Sequence, residues 1–206
     1  MWKVQKFGII SYKDAYEYQL ELVKLKLTGL KDNFLLLLQH DHVFTMGKGA
    51  DRKNILAPDI EVITINRGGD ITYHGPGQLI GYVIMDYKGL NLDLHKYLRN
   101  LEKVIINTLE EINIHSCPKD GYTGVWVENR KIASIGVGVK QGITMHGFAL
   151  NVNNDLSYFQ KINPCGLDAS IMTSVQTLTG VNYQISDIES ILTDKFLSVF
   201  SMHQAF

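Results

Sequence analysis

The chain has 206 residues, 45% of them hydrophobic and 20% charged, with a formal net charge of −1. That length supports one sizeable core and is short for two, and the composition is that of an ordinary soluble globular protein. Near-neutral charge argues against a dominant nucleic-acid role, because a phosphate backbone calls for a strong basic field, and no apolar run approaches the length of a membrane span.

The first segment, MWKVQKFGII, is too short and too charged for a signal peptide and reads as a strand. Only two cysteines occur, Cys117 and Cys165, which is no disulfide framework, so a cytoplasmic chain with reduced thiols is expected. Ser11 reads as an N-cap with Asp14 in the first turn of a helix running to Thr28, with Ala15, Tyr18, Leu22 and Leu25 on its inner stripe and Gly29 closing it. Residues 34–39 read as a buried strand, 40–56 as polar loop, and 62–65, 70–73 and 79–85 as short strands. Residues 93–112 carry helical periodicity through Leu94, Leu98, Leu101, Ile105, Leu109 and Ile112. A strand at 122–127 turns through residues 128–131, where Asn129 suits positive φ, and returns along 132–140. Another strand follows at 144–152, then a short helical stretch near 156–161. A last helix covers 187–201, capped by Ser186 with Glu189 at the capping-box position. This order predicts a single α+β domain over 1–206, with a mixed, mostly antiparallel sheet and flanking helices.

Residues 67–81, RGGDITYHGPGQLIG, concentrate five of the 18 glycines beside an Arg, an Asp, a Tyr and a His. Glycine weakens a strand, so a glycine-rich segment between two apolar runs points to close backbone approach to a ligand or to sharp turns. It is no Walker loop, and no G-x-G-x-x-G opens a helix after it. Arg67 is placed either to meet an anionic group or to pair with Asp70, and Tyr73 and His74 either line a pocket or form a satisfied half-buried pair. Cys165 stands in Asn163-Pro164-Cys165-Gly166, a tight turn that presents a thiol near backbone donors. Cys117, beside a strand, reads as structural. Lys131 is either a solvated hairpin lysine or a cation beside a thiol, and His74 and His146 are candidate bases. The remaining histidines (His40, His42, His95, His115 and His203) lack metal-ligand spacing, so no metal is expected.

Five blocks carry a resemblance along almost the whole chain: residues 67–78 (RGGDITYHGPGQ), 124–127 (GVWV), 131–137 (KIASIGV), 146–152 (HGFALNV), and Pro164-Cys165-Gly166 followed by Thr173-Ser174. In this order they are highly specific. The chain resembles the lipoate-pathway octanoyltransferases, a family that shares its α+β fold with biotin protein ligases and lipoate–protein ligases. The resemblance implies that Cys165 is the nucleophile holding the octanoyl group as a thioester, and that Lys131 lowers its pKa. It also implies substrate-binding segments Arg67, Gly68, Gly69, Asp70, Ile71, Thr72, Tyr73 and His74; Ser134, Ile135 and Gly136; and Gly147, Phe148 and Ala149. His146 is a supporting candidate, and backbone donors beside Cys165 would hold the oxyanion. No cofactor is implied. The implied partners are octanoyl-acyl carrier protein as donor, and as acceptors the lipoyl domains of 2-oxoacid dehydrogenase E2 subunits and the glycine cleavage H protein. Three readings compete: an ATP-dependent lipoate–protein ligase, a lipoyl amidotransferase, and a non-catalytic binding module of the same fold. Asp41 stands where the family usually has Pro, and Gly138 where it often has Arg.

Overall fold

The computed structural model describes residues 1–90 and 92–201. His203 lies outside them. The chain begins with β1 (Trp2–Ile9), α1 (Tyr12–Leu27), β2 (Asn33–Gln39), β3 (Val43–Met46), β4 (Val62–Thr64), β5 (Ile71–His74) and β6 (Gln78–Ile84). It continues with α2 (Leu94–Glu110), β7 (Cys117–Lys119), β8 (Tyr122–Val127), β9 (Arg130–Lys140) and β10 (Ile143–Asn151). It ends on α3 (Val175–Thr179) and α4 (Ile185–Ser201). Among the described residues no helix is long and apolar enough to cross a membrane.

A seven-stranded sheet runs β1-β2-β6-β10-β9-β8-β7, parallel only between β1 and β2. This is the mixed, mainly antiparallel α+β architecture that the element order implies. Side chains alternate across the pleat, and here both faces are covered. Leu35, Leu37, Leu79 and Val83 turn to a core with α2 and α4, while Leu36, Leu38, Ile80 and Tyr82 turn to a core with α1. A smaller sheet, β4-β3-β5, stands beside the α1 face. Its apolar side packs Phe44, Ile71 and Tyr73 against Phe159 and Ile162. Its other side faces the large sheet across a cleft.

Several local expectations shift. The inner stripe of α1 is Tyr12, Ala15, Gln19, Leu22, Val23 and Lys26, and Leu25 is exposed. Two polar residues win those inner positions because the backbone around them needs partners. Gln19 Oε1 accepts the His146 N–H at 2.7 Å, and Lys26 Nζ donates to the Asp32 carbonyl at 2.8 Å and to Asn33 Oδ1 at 2.9 Å. In the β8–β9 turn Glu128 takes the positive φ, 53°, in place of Asn129. The last helix begins at Ile185, which draws Ser186 into its first turn. Glu189 then lies beyond the capping-box position and pairs with Lys6 at 3.8 Å. The segment 40–56 holds β3 and a 3₁₀ turn, Arg52–Asn54. Cys117 is exposed on β7.

Three of the glycines of 67–81 (Gly75, Gly77 and Gly81) make room for the protein's own packing. A Cβ on Gly81 would enter the Phe148 ring, and one on Gly75 would meet the Tyr73 hydroxyl.

Candidate active site

The flanks of Cys165 dictate its setting. Pro164–Gly166 forms a 3₁₀ turn in which Cys165 sits at φ 57°, ψ 30°, a left-handed conformation that a non-glycine residue keeps only when its surroundings impose it. The constraint is a ring of hydrogen bonds. Gly166 N–H donates to the Asn163 carbonyl at 3.0 Å, Leu167 N–H to the Pro164 carbonyl at 3.1 Å, and Asn163 N–H to the Asn54 carbonyl at 2.8 Å. The Asn54 amide is itself fixed on Asp70 Oδ2. Asp70 is therefore a brace under the cysteine turn. It forms no ion pair with Arg67 among the described residues. The Gly166 and Leu167 N–H groups close the turn and are not available to an oxyanion. The Cys165 N–H makes no hydrogen bond among the described residues.

Lys131 approaches the half-buried thiol from β9, with Nζ 3.6 Å from Sγ. A slip in the β8–β9 ladder, between the Val125↔Ala133 and Trp126↔Lys131 pairs, marks a bulge there, the kind of defect that re-aims a side chain. Opposite the stem, Gly124 at φ 133° leaves the room: a Cβ would lie 2.8 Å from Lys131 Cε. The ammonium is buried, 5.7 Å from the Trp126 ring centroid, and no carboxylate pairs with it among the described residues. Its side-chain hydrogen-bond partner is the Cys165 sulfur.

Arg67 is buried as well. Nη2 donates to the Thr45 carbonyl at 2.9 Å and hydroxyl at 3.1 Å, and Nη1 to the Gly68 carbonyl at 2.9 Å. Burial pulls the guanidinium below its ordinary pKa, and the nearby Cys165 thiol opposes that.

These groups border one cleft of about 480 Å³, including its open mouth. Of the expected residues, Arg67, Gly69, Thr72, His74, Ser134, Ile135, Gly136, His146, Gly147, Phe148, Ala149 and Cys165 line it, and Lys131 reaches the thiol from outside the lining. Gly68, Asp70, Ile71 and Tyr73 do not. Strand alternation is the reason for two of these: on β5, Thr72 and His74 face the cleft while Ile71 and Tyr73 enter the opposite core. The Tyr73 hydroxyl bonds His42 Nδ1 at 2.8 Å, and its ring stacks on Tyr158 at 5.0 Å. The cleft also takes Tyr12, Ile65 and Tyr82, none of them singled out in sequence. Tyr12 opens α1 and Tyr82 stands in β6, and both are buried.

The lipoyl protein ligase A/B catalytic domain family model matches residues 11–197. The chain is 42% identical over 193 residues to an octanoyltransferase of Geobacter metallireducens, covering 94% of this chain and 91% of the relative. The chain belongs to the octanoyltransferase family. The fold is shared more widely. The lipoate protein ligase of the archaeal lipoylation system of Thermoplasma acidophilum superposes with a TM-score of 0.73 at 15% identity, over 97% of this chain and 83% of that one. The biotin protein ligase of Aquifex aeolicus gives 0.56 at 13%, over 98% and 71%. As a member of the octanoyltransferase family the protein is an acyltransferase acting in lipoylation.

Two buried histidines, His74 and His146, line this octanoyltransferase cleft, and a third, His40, packs beside His74. His40 bonds the Ile10 carbonyl through Nδ1 at 2.9 Å and the Tyr82 hydroxyl through Nε2 at 2.7 Å, and its ring lies 6.0 Å from that of His74. Burial holds all three imidazoles neutral. It takes His40 down to about 4 and His74 and His146 to about 3, with the His40 ring adding to the effect at His74 and the Arg67 charge at His146. In the unfolded chain a histidine titrates near its ordinary 6.5, so below that pH the unfolded state binds protons that the folded state refuses. This stabilising contribution is complete above about pH 6.5 and is lost as pH falls toward 4 and 3. The urea midpoint should therefore drop steadily from pH 6.5 to pH 4.5. A midpoint constant over that range would show that these rings protonate without opening the fold.

Proposed function

We propose that this protein transfers an octanoyl (or lipoyl) group from acyl carrier protein to a lysine of a lipoyl domain through a thioester on Cys165. The acceptors on this reading are the lipoyl domains of 2-oxoacid dehydrogenase E2 subunits and the glycine cleavage H protein. The observation that carries it is the Lys131 Nζ–Cys165 Sγ distance of 3.6 Å at the edge of the cleft, with no carboxylate paired to the cation among the described residues.

In the first half-reaction the thiolate attacks the carbonyl carbon of the donor thioester. The new C–S bond forms, the old one breaks, and the departing pantetheine sulfur takes a proton from the Lys131 ammonium. One thioester replaces another at little thermodynamic cost. In the second half the acceptor amine attacks the Cys165 thioester, its proton returns to the Lys131 amine, and the cysteine leaves as thiolate. The amide forms downhill and the starting enzyme is restored. The acyl chain lies in the cleft, where each buried methylene contributes about 0.8 kcal/mol, and a methylene more or less discriminates by only about 1–3 kcal/mol.

Octanoyl-carrier protein and an unmodified lipoyl domain, mixed with the enzyme and no nucleotide, should give a lipoyl domain heavier by one octanoyl group. A requirement for ATP and free octanoate would overturn the transferase reading in favour of a ligase. Transfer only from an already octanoylated protein would overturn it in favour of an amidotransferase.

A further inference from the structure

A chain of four hydrogen bonds joins the Lys131 strand to His74, and its direction can be read without ambiguity. It starts at the Thr173 peptide, whose N–H donates to the Lys131 carbonyl at 3.0 Å. The Thr173 carbonyl can only accept, and Asn151 Nδ2 donates to it at 2.9 Å. That fixes the Asn151 amide, so its Oδ1 must be the acceptor for Gln78 Nε2 at 2.8 Å. Gln78 Nε2 also lies 3.3 Å from the Tyr73 carbonyl, a second pure acceptor. Gln78 Oε1 is then the only atom left to face His74 Nδ1, at 2.7 Å, and an amide oxygen can meet that nitrogen only if the nitrogen carries the proton. Asn151, Gln78 and His74 are all buried, where such a chain has no competing water to reorient it.

The consequence falls on the other ring nitrogen. With the proton on Nδ1, His74 Nε2 bears a lone pair, and His74 lines the cleft. We infer that Asn151 and Gln78 are positioning residues, which hold His74 as the Nδ1–H tautomer so that its Nε2 accepts a hydrogen bond from an N–H group of the substrate. The two ends of the chain belong to one device: the peptide that seats the Lys131 strand also sets the orientation of His74. The inference rests on the acyl-transfer reading above for its substrate. The transfer offers two N–H donors, an amide of the pantetheine arm in the first half-reaction and the attacking amine in the second.

The test has a resting-state part and a kinetic part. Nitrogen-15 NMR of the His74 ring in the wild-type protein at pH 7 should show a protonated Nδ1 and an unprotonated Nε2. A proton on Nε2 overturns the inference with no variant needed, and that outcome does not depend on whether Cys165 is ever acylated. Gln78→Met keeps the length of the side chain and deletes the acceptor, so the His74 ring should sample both tautomers. Each half-reaction is then followed by intact mass. If the partner is the amine, transfer from octanoylated Cys165 to a lipoyl domain slows about tenfold, the scale of one hydrogen bond, with acylation unchanged. If the partner is the pantetheine amide, acylation by S-octanoyl-pantetheine slows by a like factor, and acylation by the octanoyl thioester of a simple alkanethiol does not. Equal slowing in every arm, or none beyond twofold, overturns the inference. A wild type that never forms the adduct overturns the acyl-enzyme reading instead, a failure separate from the tautomer result.

Discussion

Cys165→Ser should give a folded protein that carries no acyl group and transfers octanoate at least about 10³-fold more slowly than wild type, the scale seen when a nucleophile is deleted from a unit that works together. The side chain is half-buried and its turn is held by main-chain bonds from Asn163, Gly166 and Leu167. Serine keeps all of those, so the melting temperature should hardly move, as for substitutions that disturb no packing. The chemistry, by contrast, changes kind. A thiol is a few per cent ionised at neutral pH without help, and a hydroxyl is not. A cation 3.6 Å away can hold a thiolate, whereas it cannot supply the far larger stabilisation that an alkoxide would need. Intact mass after mixing with octanoyl-carrier protein reads the adduct, and a coupled lipoyl-domain assay reads the rate. An adduct on the serine variant, or a rate within tenfold of wild type, would move the nucleophile elsewhere.

The fold was legible where pattern and burial agree. The leucine run of β2, the apolar run of β6 and the inner Leu101, Ile105 and Leu109 of α2 reappear in the sheet and its two covering layers, whereas Leu94 is exposed and Ile112 lies beyond the end of α2. What was not legible is short or polar. β3 has four residues, β7 three and α3 five, too few for a period to declare itself. The inner stripe of α1 departs from the hydrophobic pattern because Gln19 and Lys26 are buried as hydrogen-bonding residues, which such patterning counts as surface. The site divides in the same way. Lys131 and Cys165 stand 34 residues apart, so no spacing rule joins them, and only the resemblance did. The placement of Tyr73 was within reach: alternate residues of a strand face opposite ways, so Thr72 and His74 could not share a face with Ile71 and Tyr73. Gln78 and Asn151 left a fainter signal, each a lone amide at the end of a strongly apolar strand. That is where a buried polar group must find a partner.

Lys131→Met should separate the chemistry of the site from its stability. Methionine matches the unbranched stem, which passes Gly124 and lies beside Trp126. In wild type the stem carries a buried charge with no carboxylate to offset it among the described residues. Burying an ammonium costs free energy that a single sulfur partner recovers only in part, so replacing it with an apolar group of similar shape should leave the melting temperature unchanged or raise it. Activity should fall by about 10²–10⁴, the range of one general acid–base group, in both half-reactions. The pantetheine sulfur loses the proton that lets it leave, and the attacking amine loses the base that takes its proton. The same substitution should slow alkylation of Cys165 by iodoacetamide at pH 7, because the thiolate loses the cation hydrogen-bonded to it at 3.6 Å. A variant that is less stable, yet alkylates and transfers at wild-type rates, would make Lys131 a packing residue. In that case the 3.6 Å approach to the sulfur would be a consequence of the β8–β9 bulge and not its purpose.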